Sequence, residues 1–196
     1  MAQSTAIEDA KAELRAQARE RRDALPAGVR ATAARAIAER PFPVALTLRA
    51  IVSGFMPLGS EINPIPLMRK LAGAGAQLAL PVVCGRGKPL SMRAFGLGQR
   101  LIPGVWGIRE PAREAAEVFP DILLVPLLAF DRSGHRIGYG AGYYDLTIAA
   151  LRARKTITAC GVAFAAQENS SVPTTPRDAR LDLVLTEREV IECRTV

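Results

Sequence analysis

A glycine-rich segment between a predicted strand and a predicted helix constrains the fold of this chain more than any other stretch. It spans residues 131–145 and contains Gly134, Gly138, Gly140 and Gly142. The apolar run at residues 122–125 predicts a buried strand before it, and residues 143–154 predict a helix after it. In α/β proteins such a segment lies at the carboxyl end of a strand, where ligands bind.

The segment has the character of an anion-binding loop. Glycines at 138, 140 and 142 let the backbone adopt positive φ and approach a ligand closely. Free N–H groups that lead into a helix N-terminus bind anions, and phosphate is the expected one. Arg136 can add a bidentate contact to phosphate oxygens. The sequence is neither a Walker A loop nor a dinucleotide fingerprint, because the glycine spacing differs and no Gly-Lys-Ser/Thr follows. A glycine-rich surface hairpin is the alternative interpretation.

Asp145 lies in the first turn of the predicted helix, beside the expected phosphates. A bare carboxylate would repel phosphate there, whereas a hard cation between the two would remove the repulsion. Mg²⁺ typically binds one or two carboxylates together with substrate phosphates. In the alternative interpretation, Asp145 only stabilises the helix N-terminus, by about 0.3–1 kcal/mol.

A basic stripe follows the first predicted helix. Thr5 and Glu8 form a capping box, which predicts a helix from near residue 6 to near residue 25. Four cations recur at helical spacing and share one face: Lys11, Arg15, Arg19 and Arg22. From spacing alone, a solvated face with Glu13 and Glu20 as charge partners is favoured over a ligand-binding face.

Charge and composition narrow the function classes. The formal net charge of +7 indicates an anionic partner, either a nucleotide or a nucleic acid. Aromatic residues make up only 5% of the chain and acidic residues are interspersed among the basic ones, so no nucleic-acid-binding signature is present. A single histidine and no Cys-x-x-Cys argue against structural zinc. Three scattered cysteines, no membrane-length apolar run and no secretory signal predict a cytoplasmic protein with reduced thiols.

Longer matches connect the chain to a known family. The segments that carry them are residues 125–131 (Val-Pro-Leu-Leu-Ala-Phe-Asp), Gly134, Arg136-Ile137-Gly138, Gly140 and Gly142-Tyr143-Tyr144-Asp145. Together they closely resemble the signature of the 5-formyltetrahydrofolate cyclo-ligases, also called 5,10-methenyltetrahydrofolate synthetases. Residues 11–15, 55–61, 107–111 and 167–182 match as well, so the resemblance covers nearly the whole chain.

The resemblance implies an enzyme that uses ATP and Mg²⁺ to convert 5-formyltetrahydrofolate into 5,10-methenyltetrahydrofolate, releasing ADP and phosphate. It implies a single domain over residues 1–196. Because strands and helices alternate, the expected fold is α/β: a three-layer sandwich with a mainly parallel sheet and helices on both faces (NagB/RpiA/CoA transferase-like). The expected partners are the folate and ATP, without nucleic acid or membrane, and the expected state is a monomer.

The resemblance also implies three sets of site residues, with Arg136 and Asp145 as the catalytic ones. The ATP-binding set is Lys11, Arg15, Arg136, Ile137, Gly138, Tyr139, Gly140, Ala141, Gly142, Tyr143 and Tyr144. The folate-binding set is Met56, Glu61, Trp106, Tyr139, Gly140, Ala141, Gly142 and Tyr143. The metal-binding pair is Asp145 and Asp182. Many family members carry Arg at positions 139 and 146 and Gly or Lys at 141, where this chain has Tyr139, Leu146 and Ala141.

Several of these residues have plainer explanations. The Glu61 carboxylate suits the amino and ring N–H donors of a pterin, but it is equally typical of a surface carboxylate near a helix start. Met56 and Trp106 are typical of core packing, although Trp106 can stack on the pterin or aminobenzoyl ring. Asp182 is typical of an edge-strand residue paired with a nearby arginine.

The reaction explains why no Ser-His-Asp or Cys-His arrangement is needed. A formyl amide is a poor electrophile until its oxygen is phosphorylated, after which the substrate's own N10 can attack. A non-catalytic nucleotide or nucleic-acid binder that uses the basic first helix is the alternative. A sugar-phosphate isomerase would need an acid–base pair in the loop, and none is evident.

Overall fold

The computed structural model describes residues 2–193, along which helices and strands alternate. The helices are α1 (Ala2–Asp23), α2 (Ala27–Glu39), α3 (Ile65–Gly73) and α4 (Tyr143–Arg152), with 3-10 turns at Val105–Gly107 and Ala165–Gln167. The strands in the first half are β1 (Ile51–Ser53), β2 (Gln77–Val82), β3 (Ser91–Phe95), β4 (Ile102–Pro103) and β5 (Arg109–Glu110). They are followed by β6 (Ile122–Val125), β7 (Ala129–Phe130), β8 (Arg136–Ile137), β9 (Thr158–Val162), β10 (Leu183–Leu185) and β11 (Val190–Glu192).

One seven-stranded sheet forms the centre of the molecule, in the order β11-β10-β9-β6-β1-β2-β3. The pairs from β10 through β9, β6 and β1 to β2 are parallel, while β11 and β3 add antiparallel edges. Parallel neighbours need crossover connections. Helix α3 provides one between β1 and β2, and α4 provides one between β6 and β9. The carboxyl ends of the parallel strands therefore meet at one edge.

Alternate residues of the central strands pack on opposite faces of the sheet. Leu124 joins Ile37 of α2 and Leu67 of α3 in one core. Its neighbour Leu123 packs in a second core with Ile148 of α4. Burying each of these side chains stabilises the fold by about 1.5–3 kcal/mol. The prediction of a three-layer α/β sandwich with a mainly parallel sheet is confirmed.

Helix α1 lies outside these layers, against the carboxyl edge of the sheet. Its Ala18 is 1% exposed and packs with Leu128 and Ile137 in a small third core. Leu14, one turn earlier, is half-buried against the same core. This packing holds the basic helix beside the glycine-rich segment.

The glycine-rich segment is not one continuous loop. Strand β7 pairs antiparallel with β8, so residues 131–135 form the turn of a hairpin. Asp131 Oδ1 accepts the N–H groups of Ser133 and His135 across that turn, and Gly134 has a φ of 89°. The backbone available to a ligand is thereby shortened to residues 138–142.

The elements at both ends of the chain differ from the sequence prediction. Helix α1 begins at Ala2, before the capping box at Thr5 and Glu8. The antiparallel edge strand β11 was not predicted. No helix within residues 2–193 combines the length and apolar character that a bilayer crossing requires. The cysteines at 84, 160 and 193 are free thiols, as predicted.

Candidate active site

Residues 138–142 form a short exposed turn that leads from β8 into α4. Gly140 has a φ of 96° and Gly142 a φ of 71°, which are conformations that glycine adopts without strain. Tyr139 and Ala141 are exposed, while Gly138 is half-buried. First-turn N–H groups have no acceptor within their own helix, and the helix dipole adds positive potential there. The turn and α4 together therefore offer a site for an anion.

Arg15 of α1 lies against this turn. Its Nε donates to the carbonyl oxygen of Gly138 at 3.2 Å. A Cβ atom at Gly140 would stand 3.5 Å from the Arg15 guanidinium, so the two residues are in direct contact. The structure thus brings together a glycine turn and an arginine that the sequence separates by more than a hundred residues.

Lys11, one turn before Arg15, is 6% exposed and forms an ion pair with Asp178 at 2.6 Å between Nζ and Oδ2. Although partial burial opposes the shift, the Lys11 ammonium and the Thr175 N–H hold the pKa of Asp178 below its ordinary value. Lys11 therefore ties α1 to the segment that precedes β10.

The basic stripe of α1 faces the protein. Lys11 and Arg22 are buried, Arg15 is half-buried, and Arg19 alone of the four is exposed, 3.7 Å from Asp23. The interpretation of the stripe as a solvated face is therefore wrong for Lys11, Arg15 and Arg22. This packing also leaves little of the stripe for binding a nucleic acid.

Arg136 and Asp145 form an ion pair at the start of α4. Arg136 Nη2 donates to Asp145 Oδ1 at 2.8 Å, and Nη1 donates to the carbonyl oxygen of Ala179. The Ala179 N–H donates to the same Oδ1 at 3.0 Å. The Arg136 side chain is only 5% exposed. Arg136 is therefore turned toward Asp145, and not toward a phosphate as the sequence predicted.

Asp182 pairs with the arginine at the end of α4. Its Oδ2 accepts hydrogen bonds from Arg152 Nη2 at 2.8 Å and from the Ala159 N–H at 2.7 Å. Arg152 ends α4, so it lies about 10 Å from Asp145 along the helix axis. Asp182 is thus paired with a nearby arginine, as the alternative interpretation predicted. Within residues 2–193, no group of three or more His, Cys, Asp or Glu side chains could hold a metal ion.

Glu61 reaches the same edge of the sheet from the exit of β1. Its side chain is 6% exposed, and Oε2 accepts the Leu58 N–H at 2.7 Å. Burial, opposed by that N–H and by Arg22, raises the pKa of Glu61 above its ordinary value. Arg22 also donates from Nη2 to the Tyr139 hydroxyl at 2.7 Å. The buried carboxylate and the glycine turn therefore meet through α1, and Glu61 is no surface residue.

Met56 and Trp106 differ in their surroundings. Met56 is half-buried against the core that contains α2 and α3, as its plainer explanation predicted. Trp106 is 61% exposed, so it is no core residue. Its φ of 57° is strained for a non-glycine residue. Its ring centroid lies 5.8 Å from that of Tyr143 at the start of α4. Trp106 therefore borders the glycine turn.

Two residues of the predicted ATP-binding set contribute mainly to packing. Ile137 is 2% exposed in the third core, so only its backbone can face a ligand. Tyr144 is half-buried against the core below α4, and burial raises the pKa of its hydroxyl. Tyr143 packs against the same core while its ring approaches Trp106.

A cavity of ≈ 480 Å³ lies elsewhere, at the amino ends of β1 and β2. Ile51, Gln77 and Phe95 are among its lining residues, and none of the lining residues is charged. Such a cavity cannot neutralise a polyphosphate. The charged groups instead converge at the carboxyl edge, which is the candidate active site.

Comparisons with known proteins identify the family of this chain. The model of the 5-formyltetrahydrofolate cyclo-ligase family matches residues 7–187. A 5-formyltetrahydrofolate cyclo-ligase from Mycolicibacterium smegmatis is 32% identical over 191 residues, which cover 92% of this chain and 95% of that protein. The one from Escherichia coli K12 is 31% identical over 147 residues, covering 72% and 80%.

A solved structure is similar over the same length. The NMR structure of the Aquifex aeolicus 5,10-methenyltetrahydrofolate synthetase superposes with a TM-score of 0.77 at 28% identity. The superposition covers 95% of this chain and 94% of that one. This chain therefore belongs to the 5-formyltetrahydrofolate cyclo-ligase family.

Proposed function

We propose that this protein closes 5-formyltetrahydrofolate into 5,10-methenyltetrahydrofolate with ATP and Mg²⁺, releasing ADP and phosphate. One observation carries the proposal: α1 contacts the glycine turn through Arg15 and the buried Glu61 through Arg22. Groups suited to a triphosphate and to a pterin therefore stand side by side.

The triphosphate binds across the glycine turn and the start of α4. Backbone N–H groups of residues 139–143 contact its oxygens, and Arg15 neutralises their charge from the opposite side. Lys11 fixes α1 beside the turn through its ion pair with Asp178, which offsets the ammonium charge. Arg136 is buried under this site and acts on the nucleotide through Asp145.

Asp145 fits a magnesium ion carried by the nucleotide. In the described part of the chain, both hydrogen bonds to this carboxylate go to Oδ1, so Oδ2 can face an ion. Arg136 and Ala179 fix its orientation. When bound, Mg²⁺ supplies positive charge that stabilises the phosphoryl oxygens during transfer. Asp182 takes no part, because Arg152 holds it elsewhere.

The folate lies on the other side of the turn, with its pterin at Glu61. A carboxylate accepts two parallel N–H bonds from such a ring. Trp106 is exposed beside the turn and its ring packs near that of Tyr143, so an aromatic part of the folate can stack on Trp106. Met56 closes the apolar side of this region.

The reaction then needs alignment more than an enzymic nucleophile. The formyl oxygen attacks the γ-phosphorus, and the bond from that phosphorus to ADP breaks. The N10 lone pair attacks the formyl carbon, closing a five-membered ring. The carbon–oxygen bond breaks, phosphate leaves with the electron pair, and N10 loses its proton to solvent. Arg15 and the turn N–H groups spread the negative charge in the first step.

A coupled assay tests this function. ADP should be released only when both 5-formyltetrahydrofolate and Mg²⁺ are present, together with the near-ultraviolet absorbance of the methenyl product. Omitting either compound tests the dependence. ADP release without folate, or no turnover with all components, would reject the proposal.

Arg15→Ala should raise the KM for ATP by roughly 10-fold or more, because a hydrogen bond to a charged group contributes about 1.5–3 kcal/mol. The KM for the folate should change by less than about 2-fold. Steady-state kinetics with each substrate varied in turn measures both values. Arg19→Ala is the matched control, because Arg19 is exposed on the same helix. A lowered melting temperature with unchanged KM values would show that Arg15 is only structural.

A further inference from the structure

Arg22 is a buried arginine in which one of the three guanidinium nitrogens makes no hydrogen bond to the described residues. The residue is 2% exposed. Its Nε donates to Ser60 Oγ at 2.9 Å and its Nη2 donates to the Tyr139 hydroxyl at 2.7 Å. Its Nη1 has no hydrogen-bond partner within the described residues. A buried donor on a charged group is destabilising when it stays unpaired, so this position calls for an acceptor.

Two other buried arginine atoms lack partners, the Nε atoms of Arg40 and Arg93. Arg40 bonds to the backbone at residues 187 and 188, and Arg93 bonds to the backbone at residues 113 and 115. Neither contacts the glycine turn or the exit of β1. Among the three, Arg22 alone combines an unpaired atom with contacts to two parts of the proposed active site.

The Glu61 carboxylate lies beside Arg22 Nη1. Its Oε1 lies 4.0 Å from Arg22 Nη1, too far for a hydrogen bond. Its Oε2 is already held by the Leu58 N–H. The structure therefore places a donor and an acceptor side by side, and the Tyr139 hydroxyl, which bonds to both side chains, occupies the position that a third group would take.

We propose that Arg22 determines specificity for the 4-oxo form of the pterin ring, with Nη1 donating to the 4-oxo oxygen while Glu61 accepts the neighbouring N–H groups. This inference rests on the proposed function. The 4-oxo oxygen and the N3–H group are adjacent on the ring. This edge of the pterin therefore presents a hydrogen-bond acceptor next to a hydrogen-bond donor. The Arg22–Glu61 pair is its complement, and the 4.0 Å separation leaves room for two separate bonds.

Tyr139 lies over the pair and must turn aside when the ring enters. The Tyr139 hydroxyl accepts a hydrogen bond from Arg22 Nη2, and Tyr139 is 46% exposed to solvent. Gly138 and Gly140 flank it in the chain, and Gly140 is already at positive φ. The turn therefore has the backbone freedom to move Tyr139 without disturbing β8 or α4.

The test compares binding of 5-formyltetrahydrofolate with binding of its 4-amino-4-deoxy analogue, in which the acceptor at C4 becomes a donor. The unmodified full-length protein should bind the 4-oxo compound at least about 10-fold more tightly. Arg22→Gln should reduce that preference to under about 3-fold while the KM for ATP changes by less than about 2-fold. Arg19→Gln removes the same charge from an exposed position of the same helix and should leave the preference intact.

An unchanged preference in Arg22→Gln would overturn the inference. Equal or tighter binding of the 4-amino analogue by the unmodified protein would overturn it as well, and that result does not depend on whether the variant folds. The proposed function fails separately, if the unmodified protein neither binds nor converts 5-formyltetrahydrofolate.

Discussion

Asp145→Asn is expected to lower kcat for folate-dependent ADP release by at least about 100-fold while the fold is retained. The asparagine side chain has the same shape and can still accept the Ala179 N–H. It lacks the negative charge that a magnesium ion requires, and it leaves the Arg136 guanidinium without its ion pair. Initial rates measured over a range of Mg²⁺ concentrations report the loss, and the melting temperature reports the fold.

Asp182→Asn is the control for this variant. It makes the same chemical change in a carboxylate that Arg152 holds at the other end of α4. Its kcat and its Mg²⁺ dependence should stay within about 3-fold of the unmodified protein, because an exposed ion pair contributes little. Equal losses in the two variants would restore the prediction of a shared ion. Near-normal Mg²⁺-dependent activity in Asp145→Asn would remove the metal role.

Glu61→Gln is expected to raise the Kd for 5-formyltetrahydrofolate by roughly 10- to 100-fold, because hydrogen bonds to a charged acceptor contribute about 1.5–3 kcal/mol. The affinity for ATP should barely change, since Arg15 and the turn bind it independently. Equilibrium titration with each ligand measures both constants. A loss of ATP affinity of similar size would instead mean that Glu61 maintains the structure of the whole carboxyl edge of the sheet and does not bind the folate specifically.

The same residue predicts a pH dependence. Burial raises the pKa of Glu61, so its carboxylate form is lost as the pH falls through a value above that of an ordinary glutamate. The affinity for the folate should therefore reach its maximum at neutral pH and weaken on acidification. The Glu61→Gln variant should lack this pH dependence. Because the raised pKa means that folding favours the protonated form, Glu61 lowers stability once the pH rises above it. Glu61→Gln should consequently not lower the melting temperature at neutral pH.

The parts of the fold that follow from local sequence were predictable. Strand β6 occupies the predicted residues 122–125, because four consecutive apolar residues between Asp121 and Pro126 can only be buried. Helix α4 begins at Tyr143, directly after the glycine turn, as predicted. The β7–β8 hairpin was named only as an alternative for the whole glycine-rich segment, because the glycine at its turn, Gly134, is followed by three more glycines. The signal was Asp131, whose side chain accepts two N–H groups in a local turn that needs only five residues.

The contacts within the candidate site could not be predicted from the sequence. The sequence identified Arg136, Asp145 and Glu61, yet it assigned Arg136 to phosphate and paired Asp145 with Asp182. Arg136 also donates to the carbonyl oxygen of Ala179, which is 43 residues away in the sequence. The chain that leads into β10 brings Ala179 to this position. The stripe on α1 was recognised from its spacing. Its inward orientation depends on packing against β7 and β8, which no local pattern reveals.

The long-range contacts of helix α1 determine when the candidate active site can form during synthesis. It is translated early, yet Lys11 bonds to a residue 167 positions later, and Arg15 and Arg22 bond to residues 123 and 117 positions later. Contacts of such long range form late in folding, because the intervening chain must first be ordered. A nascent chain that has emerged only as far as β9 already contains the partners of Arg15 and Arg22 but lacks Asp178. The Lys11 end of α1 can therefore be fixed only after the segment before β10 has been made.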